Sequence, residues 1–285
     1  MDQEIINLYD EYTHKPLSRK SFMNRLIKLT GSAAMAVSAL SVLEVGYANA
    51  ETVSEQDNDL ITEEITYAGD GCTMKGYLAK PKGRDKFGSV VVIHENRGLN
   101  PHIKDITRRL AKAGFMAMAP DALSPFGGTP ADTDTARGMF SKIEAPKNLN
   151  NFLNAQKYLT SRKESNGKTG CVGFCWGGAM VNRMAVNSPS LLAAVAYYGG
   201  QPDAADVSKI KAKMLLHYAG LDTRINAGIP AYEAALKAAG TSYQLFVYEG
   251  VQHAFNNDTG GERYNAEAAK LAWGRTLEFF NKTIK

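Results

Sequence analysis

A cysteine lies at the centre of a glycine-rich stretch, residues 173–178, which reads GFCWGG. The stretch matches the G-x-S-x-G pattern of a sharp strand-to-helix turn, with Cys175 in the place of the serine nucleophile. Glycine on either side leaves room for the turn, and the N-terminus of the following helix favours a thiolate. The backbone N–H of Trp176 is then expected to face an oxyanion. The alternative is a buried structural cysteine in a glycine-rich turn.

Two further side chains can complete a reactive set with this cysteine. Asp222 follows the strand expected at residues 214–218, and His253 follows the strand expected at residues 243–248. Each is weak evidence alone, because loop residues of these types commonly cap helices or form turns. Nucleophile, acid and histidine nevertheless come in the chain order that hydrolases with a parallel sheet require. We therefore predict that Cys175, Asp222 and His253 converge at one edge of a sheet.

The residue types of this set define a reaction. His253 takes the proton of the thiol and later delivers one to the leaving alcohol. Asp222 holds the tautomer of the imidazole and stabilises its protonated form. Cys175 attacks a carbonyl carbon and forms a thioester, which water hydrolyses. The sequence therefore predicts an enzyme that hydrolyses an ester or lactone of a small molecule.

The surrounding chain has the pattern of a sheet that can hold these residues. Apolar runs predict buried strands and a 3.6-residue period predicts helices, in alternation. Residues 121–135 are rich in Gly, Pro, Ser, Thr and Asp and are expected to form a surface loop beside a pocket. The fold class is therefore α/β, with a mostly parallel central sheet, helices on both faces and the ligand beyond the carboxyl ends of the strands. Strands are expected at residues 61–67, 73–79, 89–94, 115–119, 169–174, 193–198, 214–218 and 243–248, and helices at 101–113, 147–161, 176–186 and 265–281.

With these residues, the chain resembles the dienelactone hydrolases (carboxymethylenebutenolidases) of the α/β-hydrolase superfamily over roughly residues 60–283. The resemblance rests on Glu95 after the first buried strand, the GFCWGG stretch, Asp222 and His253. It implies that Glu95 contacts the resting thiol and helps to deprotonate it when substrate binds. It also implies that the backbone N–H of Asn96 is a second oxyanion donor. The alternative for Glu95 is a loop carboxylate paired with Arg97.

The chain departs from this family at the positions that bind the substrate carboxylate. Family members that act on dienelactone use two arginines there, and the corresponding positions fall in residues 121–125 and at Asn257. A pocket without both arginines loses its charge-assisted grip on a small anion. We therefore expect a natural substrate other than dienelactone. Arg97 and Phe255 remain candidates for substrate contact; a structural ion pair is the alternative for Arg97, and Trp176 and Phe255 are expected to line an apolar wall.

The first fifty residues are predicted to be a separate export signal. A charged stretch at residues 18–23 precedes the apolar stretch Ala33–Leu43, and small residues follow at 48–50. This order is typical of a cleaved signal. It resembles a twin-arginine signal in which Lys20 replaces the second arginine. We expect residues 1–50 to engage the twin-arginine or general export machinery, and residues 51–285 to be a periplasmic hydrolase domain, either freed after Ala50 or anchored by an uncleaved signal. The alternative is a disordered or helical extension.

Composition excludes several other classes of protein. The chain has 285 residues, 44% of them hydrophobic, and a net charge of +4 without a basic block, which indicates one large domain and argues against nucleic-acid binding. No motif for a nucleotide is present, and three cysteines make neither a zinc motif nor a disulfide framework. We therefore predict a hydrolase with no metal and no cofactor, acting as a monomer. His217 is expected in the core.

Two hypotheses of other classes stay open at this point. The missing arginines are also consistent with an exported binding protein that keeps the hydrolase scaffold without turnover. A third hypothesis is a thiol redox sensor built on Cys175.

Overall fold

A computed structural model describes residues 1–15, 17–43, 51–83 and 86–285 of the chain. Within these ranges, eight strands form one sheet in the order β1-β2-β4-β3-β5-β6-β7-β8. The strands are β1 (Leu60–Ala68), β2 (Thr73–Pro81), β3 (Phe87–Ile93), β4 (Met116–Pro120), β5 (Ser165–Phe174), β6 (Ala193–Tyr197), β7 (Lys213–Ala219) and β8 (Tyr243–Tyr248). The helices are α1 (Gln3–His14), α2 (Arg19–Thr30), α3 (Ala33–Leu43), α4 (Pro101–Lys112), α5 (Thr133–Met139), α6 (Ala145–Ser161), α7 (Trp176–Asn187), α8 (Thr223–Asn226), α9 (Ile229–Ala238) and α10 (Ala266–Thr283).

The sheet is mostly parallel, as predicted. β1 pairs with β2 and β2 with β4 in antiparallel fashion, whereas the strands from β4 across to β8 pair in parallel. Parallel strands end at the same edge, so the loops after β3, β5, β7 and β8 meet there. Glu95, Cys175, Asp222 and His253 all lie in those loops.

The sheet is covered by helices on both faces, which explains its continuous apolar strands. Every residue of β3 is buried, and successive side chains of a strand point to opposite faces. Val91 and Ile93 belong to a core cluster that includes residues of α6 and α7. Val90 and Val92 belong to a second cluster that includes residues of α4 and α10. The segment at 121–135, expected to be a loop, also holds a short 3-10 turn at Ser124–Phe126 and the start of α5.

The N-terminal helices α1–α3 have a small core of their own. Tyr12 of α1 stacks on Phe22 of α2 with ring centroids 4.2 Å apart, and Leu26 and Leu40 are buried beside them. Among the described residues no single helix is long and apolar enough to span a membrane. The pair α2 and α3 passes that test together, but it is bent by 109°. The predicted cleavage site at residues 48–50 lies outside the described residues, and the export signal stays a prediction.

His217 of β7 lies in the core, as the sequence indicated. Its Nδ1 is 2.9 Å from the hydroxyl of Tyr248, and its Nε2 is 3.3 Å from the hydroxyl of Thr276. Burial, together with the nearby charge of Arg275, lowers the pKa of His217 to about 3 from an ordinary value of 6.5. The imidazole is therefore neutral in the folded protein at every pH above that value.

A buried neutral histidine makes stability depend on pH. Below pH 6.5 the unfolded chain binds a proton at His217 that the folded chain does not bind until about pH 3, so this group lowers stability as the pH falls through that interval. We expect His217→Gln to flatten the decline, by at most about 1.4 kcal/mol per pH unit. Urea unfolding of both proteins at a series of pH values checks this. Parallel stability curves for the two proteins would contradict it.

Candidate active site

Cys175 occupies a strained turn between β5 and α7. Its backbone has φ 56° and ψ −114°, a left-handed conformation that is uncommon for a residue with a side chain. The turn also brings backbone close on both sides. A Cβ added at Gly173 would lie 2.2 Å from the carbonyl oxygen of Gly177, and one added at Gly177 would lie 2.3 Å from that of Ile93. The glycines around Cys175 are therefore required by close packing.

His253 and Asp222 meet as the sequence predicted. Nδ1 of His253 lies 2.5 Å from Oδ2 of Asp222, while Oδ1 of Asp222 accepts a hydrogen bond from the backbone N–H of Ile225 at 3.1 Å. Asp222 thus caps α8 and orients the imidazole with the same carboxylate. The other ring nitrogen of His253, Nε2, is buried and has no hydrogen-bond partner among the described residues.

The sulfur of Cys175 is paired with a histidine that the sequence analysis did not consider. Its Sγ lies 2.9 Å from Nε2 of His14, the last residue of α1. Nδ1 of His14 lies 2.8 Å from the backbone oxygen of Asp10 and 3.1 Å from its Oδ1. The rings of His14 and His253 meet edge to face, with centroids 4.8 Å apart. Two histidines, each beside a carboxylate, therefore flank one thiol.

The charges around His14 favour its protonated form. Burial acts against protonation, but the contacts with the sulfur of Cys175 and with Asp10 raise the pKa of His14 to about 9. Burial likewise acts against ionisation of Asp10, yet His253, His14 and Arg224 hold the pKa of its carboxyl far below the usual range. Arg224 donates from Nε to Oδ2 of Asp10 at 3.2 Å. The end of α1 thus carries charges of both signs into the site.

Glu95 is buried beside the site but does not contact the thiol. Its Oε2 accepts a hydrogen bond from the side-chain amide of Asn257 at 2.8 Å, and its Oε1 has no partner among the described residues. The resemblance implied a contact between Glu95 and Cys175, whereas the hydrogen bonds of these two residues go to Asn257 and His14 respectively. Asn257, which stands where the family has a substrate arginine, instead fixes the orientation of Glu95.

The remaining candidates divide between the cavity and its surroundings. Asn96 and Trp176, the expected oxyanion donors, both line the cavity at Cys175. The side chain of Asn96 donates to the backbone oxygen of Thr13 at 2.5 Å. Arg97 donates to the hydroxyl of Tyr9 at 2.6 Å, so it holds α1 in place. Phe255 is fully buried in the core instead of on the apolar wall where it was expected.

The cavity has a volume of about 600 Å³, and the N-terminal segment forms part of its wall. A volume of this order suits a small organic substrate. The residues lining it are Thr13, His14, Lys15, Leu17, Asn96, Arg137, Gly138, Phe140, Ser141, Cys175, Trp176, Ala179, Tyr198, Gly200, Arg224, Ile225 and His253. Arg137 and Arg224, two cavity cations that the sequence analysis missed, are engaged by α1: the side chain of Arg137 donates to the backbone oxygen of Tyr12.

Comparison with known proteins gives matches over most of the chain. The sequence model of the dienelactone hydrolase family matches residues 74–284. A protein of Saccharolobus solfataricus named "Putative carboxymethylenebutenolidase" is 30% identical over 259 residues, covering 78% of this chain and 99% of the relative. A protein of the same name from Escherichia coli O157:H7 is 32% identical over 250 residues, covering 82% of this chain and 92% of the relative.

Solved structures show the same fold. The crystal structure of a protein assigned as a dienelactone hydrolase from Klebsiella pneumoniae superposes with a TM-score of 0.71 at 30% identity, covering 79% of this chain and all of the other. A dienelactone hydrolase-like promiscuous phosphotriesterase, P91, from metagenomic libraries superposes with a TM-score of 0.72 at 23% identity, covering 80% and 100%. The family match begins at residue 74, so α1–α3 lie outside it.

Proposed function

This chain belongs to the dienelactone hydrolase family and is an ester or lactone hydrolase, and we propose that it works through Cys175, His253 and Asp222. The observations that support the proposal are that Cys175 and His253 line one cavity and that Asp222 contacts His253. Asp222 lies 2.5 Å from Nδ1 of His253, whose unpartnered Nε2 and the sulfur of Cys175 border the same space. Catalysis by an activated thiol requires this arrangement of nucleophile, base and orienting acid.

The reaction begins when the thiol leaves His14 and gives its proton to Nε2 of His253. The sulfur then attacks the carbonyl carbon of the ester, and negative charge develops on the carbonyl oxygen. The backbone N–H groups of Trp176 and Asn96, residues that line the cavity, are the proposed donors that stabilise that charge. His253 next protonates the leaving alcohol, and a bond between Cys175 and the acyl group remains as a thioester.

Water completes the cycle. His253, again neutral, takes a proton from a water molecule that attacks the thioester, and the proton passes to the departing sulfur. The carboxylate of Asp222 stabilises the imidazolium that forms in each half of the reaction. The products are the carboxylic acid and the alcohol, and neither half needs a cofactor.

A matched pair of variants tests this proposal on a panel of aryl esters, lactones and thioesters. Asp222→Asn is expected to keep the cap of α8, because asparagine is as good an N-cap as aspartate. It is also expected to lower kcat by about 10³- to 10⁴-fold, because the imidazolium loses its counter-charge and its tautomer is no longer fixed. Asp203→Asn, at an exposed position before a 3-10 turn, is the control and should leave kcat unchanged. Equal turnover in both variants would refute the role of Asp222.

The other hypotheses from the sequence, a binding protein without turnover and a thiol redox sensor, receive no support from the comparisons. The matching relatives bear the names of hydrolases. The substrate is expected to be a small ester or lactone that fits about 600 Å³. Residue 257, where the family has a carboxylate-binding arginine, is an asparagine in this chain and donates a hydrogen bond to Glu95. This difference favours a substrate other than dienelactone.

We also propose that residues 1–50 act as a twin-arginine-like export signal, with Lys20 in the second arginine position, and that the hydrolase works in the periplasm. The charged stretch followed by the apolar helix α3 supports this proposal. Cell fractionation tests it: activity confined to the cytoplasm would refute it.

A further inference from the structure

We propose that His14, Cys175 and His253 together bind one divalent transition metal ion of the zinc class, which joins the N-terminal helix to the active-site loops. One ligand atom from each of these residues lies within 4.8 Å of the other two. They come from three separate parts of the chain: the end of α1, the turn after β5 and the loop after β8. The cluster therefore forms only in the folded chain, and no short sequence motif indicates it.

The ligand atoms are free to face a metal. Nε2 of His253 has no hydrogen-bond partner among the described residues, and the residue is 5% exposed. Nε2 of His14 already points at the sulfur, 2.9 Å away. Bonds of about 2.0–2.3 Å in a tetrahedron place ligand atoms roughly 3.3–3.7 Å apart. The three ligand atoms reach this spacing when separations near the 4.8 Å limit shorten by about 1 Å and the distance between Nε2 of His14 and the sulfur of Cys175 increases slightly from 2.9 Å.

The outer partners of the two histidines are those of a metal site. Histidine ligands of metals usually direct their second ring nitrogen at a carboxylate or a backbone carbonyl, which fixes the tautomer and raises the basicity of the ligand. Nδ1 of His253 meets the carboxylate of Asp222 at 2.5 Å. Nδ1 of His14 meets the backbone oxygen of Asp10 at 2.8 Å and its carboxylate at 3.1 Å. Both imidazoles are thus held with Nε2 directed inward.

The donor set selects the class of ion. One thiolate and two imidazole nitrogens suit Zn²⁺ and its analogue Co²⁺, whereas Mg²⁺ and Ca²⁺ require oxygen ligands. A fourth position remains open towards the cavity for water. On binding, the metal replaces the proton that His14 and Cys175 share, so each ion bound releases that proton and no redox change occurs.

Metal binding is expected to inhibit hydrolysis, an inference that rests on the proposed function. A metal ion on Cys175 and His253 occupies the nucleophile and the base at once, so hydrolysis stops while it is bound. The same ion attaches α1 to the loops through His14. The site therefore acts as a metal-dependent closure of the cavity by the N-terminal segment.

Titration of the metal-free full-length chain with Co²⁺ tests the proposal by absorbance. We expect one ion per chain, with the visible bands of a tetrahedral site and a thiolate-to-cobalt charge-transfer band, all removed by Zn²⁺. His14→Ala is expected to weaken binding by about 100-fold or more, because even an outer partner of a ligand contributes about 10- to 100-fold. His253→Gln, a ligand change outside the N-terminal segment, should do the same.

Two control variants remove residues of the same types away from the site. Cys72→Ser changes a free thiol of the β1–β2 turn, and His102→Gln changes a buried histidine of α4 that contacts Asp258. Both should keep the wild-type spectrum. Absence of the bands in the wild-type chain, or bands unchanged in both His14→Ala and His253→Gln, would overturn the proposal. Because absorbance needs no turnover, a chain that binds Co²⁺ but hydrolyses no ester or lactone even after the metal has been removed with a chelator would refute the proposed function and leave this site standing.

Discussion

The Cys175→Ala variant is expected to lose hydrolysis of every ester that the wild-type chain turns over, by about 10⁴-fold or more in kcat. This variant has no sulfur to which the acyl group can be transferred, so the two-step reaction through a thioester cannot take place. The proposed oxyanion donors, the N–H groups of Trp176 and Asn96, do not depend on the sulfur, so a small residual rate over water is expected. The fold should persist, because the strained backbone at residue 175 is set by the glycines around it.

The rate comparison needs a second cysteine variant and a folding control. Cys72→Ala removes a half-buried thiol outside the cavity, and it should keep wild-type kcat and KM. Circular dichroism and the unfolding midpoint establish whether each variant is folded. Turnover by folded Cys175→Ala that equals the wild-type rate would show that another residue is the nucleophile.

The second large effect is expected from the N-terminal segment. A chain that begins at Glu51 should hydrolyse esters with a kcat/KM about tenfold or more above that of the full-length chain. In the full-length chain, His14 forms a hydrogen bond with the sulfur of Cys175. A hydrogen bond to a charged group contributes about 1.5–3 kcal/mol, and this energy must be overcome before the sulfur can react. Removal of His14 frees the sulfur for His253 and also frees Arg137 and Arg224, which α1 now engages.

The shorter chain is expected to fold alone. The core clusters on the two faces of the sheet contain no residue of α1–α3, which form a cluster of their own. Solved relatives are covered completely by about four fifths of this chain.

Assays of both chains with a chelator present separate the effect of His14 from that of a bound metal. His14→Ala in the full-length chain should give part of the increase. An equal or lower kcat/KM for the folded shorter chain would contradict the inhibitory role of α1.

The fold was predictable because its signals are local. Buried strands such as β3 are short and mostly apolar, and the helices between them show a helical period, so alternation and class follow from the sequence. The positions of Cys175, Asp222 and His253 were predictable for the same reason. Each lies in the loop or turn that follows a strand, and parallel strands bring those loops to one edge.

The features that were missed depend on contacts between distant parts of the chain. His14 and Cys175 are 161 residues apart, and His14 lies in a segment whose composition indicates an export signal. Nothing local shows that such a segment packs on the site. Phe255 was expected on the cavity wall, but it follows a turn at Ala254, whose φ is 66°, and its ring is fully buried in the core.

The proposed nucleophile is the sulfur of Cys175, at a cavity that it shares with His253, which in turn contacts Asp222. The most direct test of this role is mass spectrometry of the chain beginning at Glu51, quenched with acid during turnover of a slow aryl ester, followed by peptide mapping. We expect the mass of one acyl group on the peptide that contains Cys175, and we expect neutral hydroxylamine to remove it as it removes a thioester. An acyl group on any other residue, or steady turnover with no acyl group on Cys175 under conditions that trap thioesters, would contradict it.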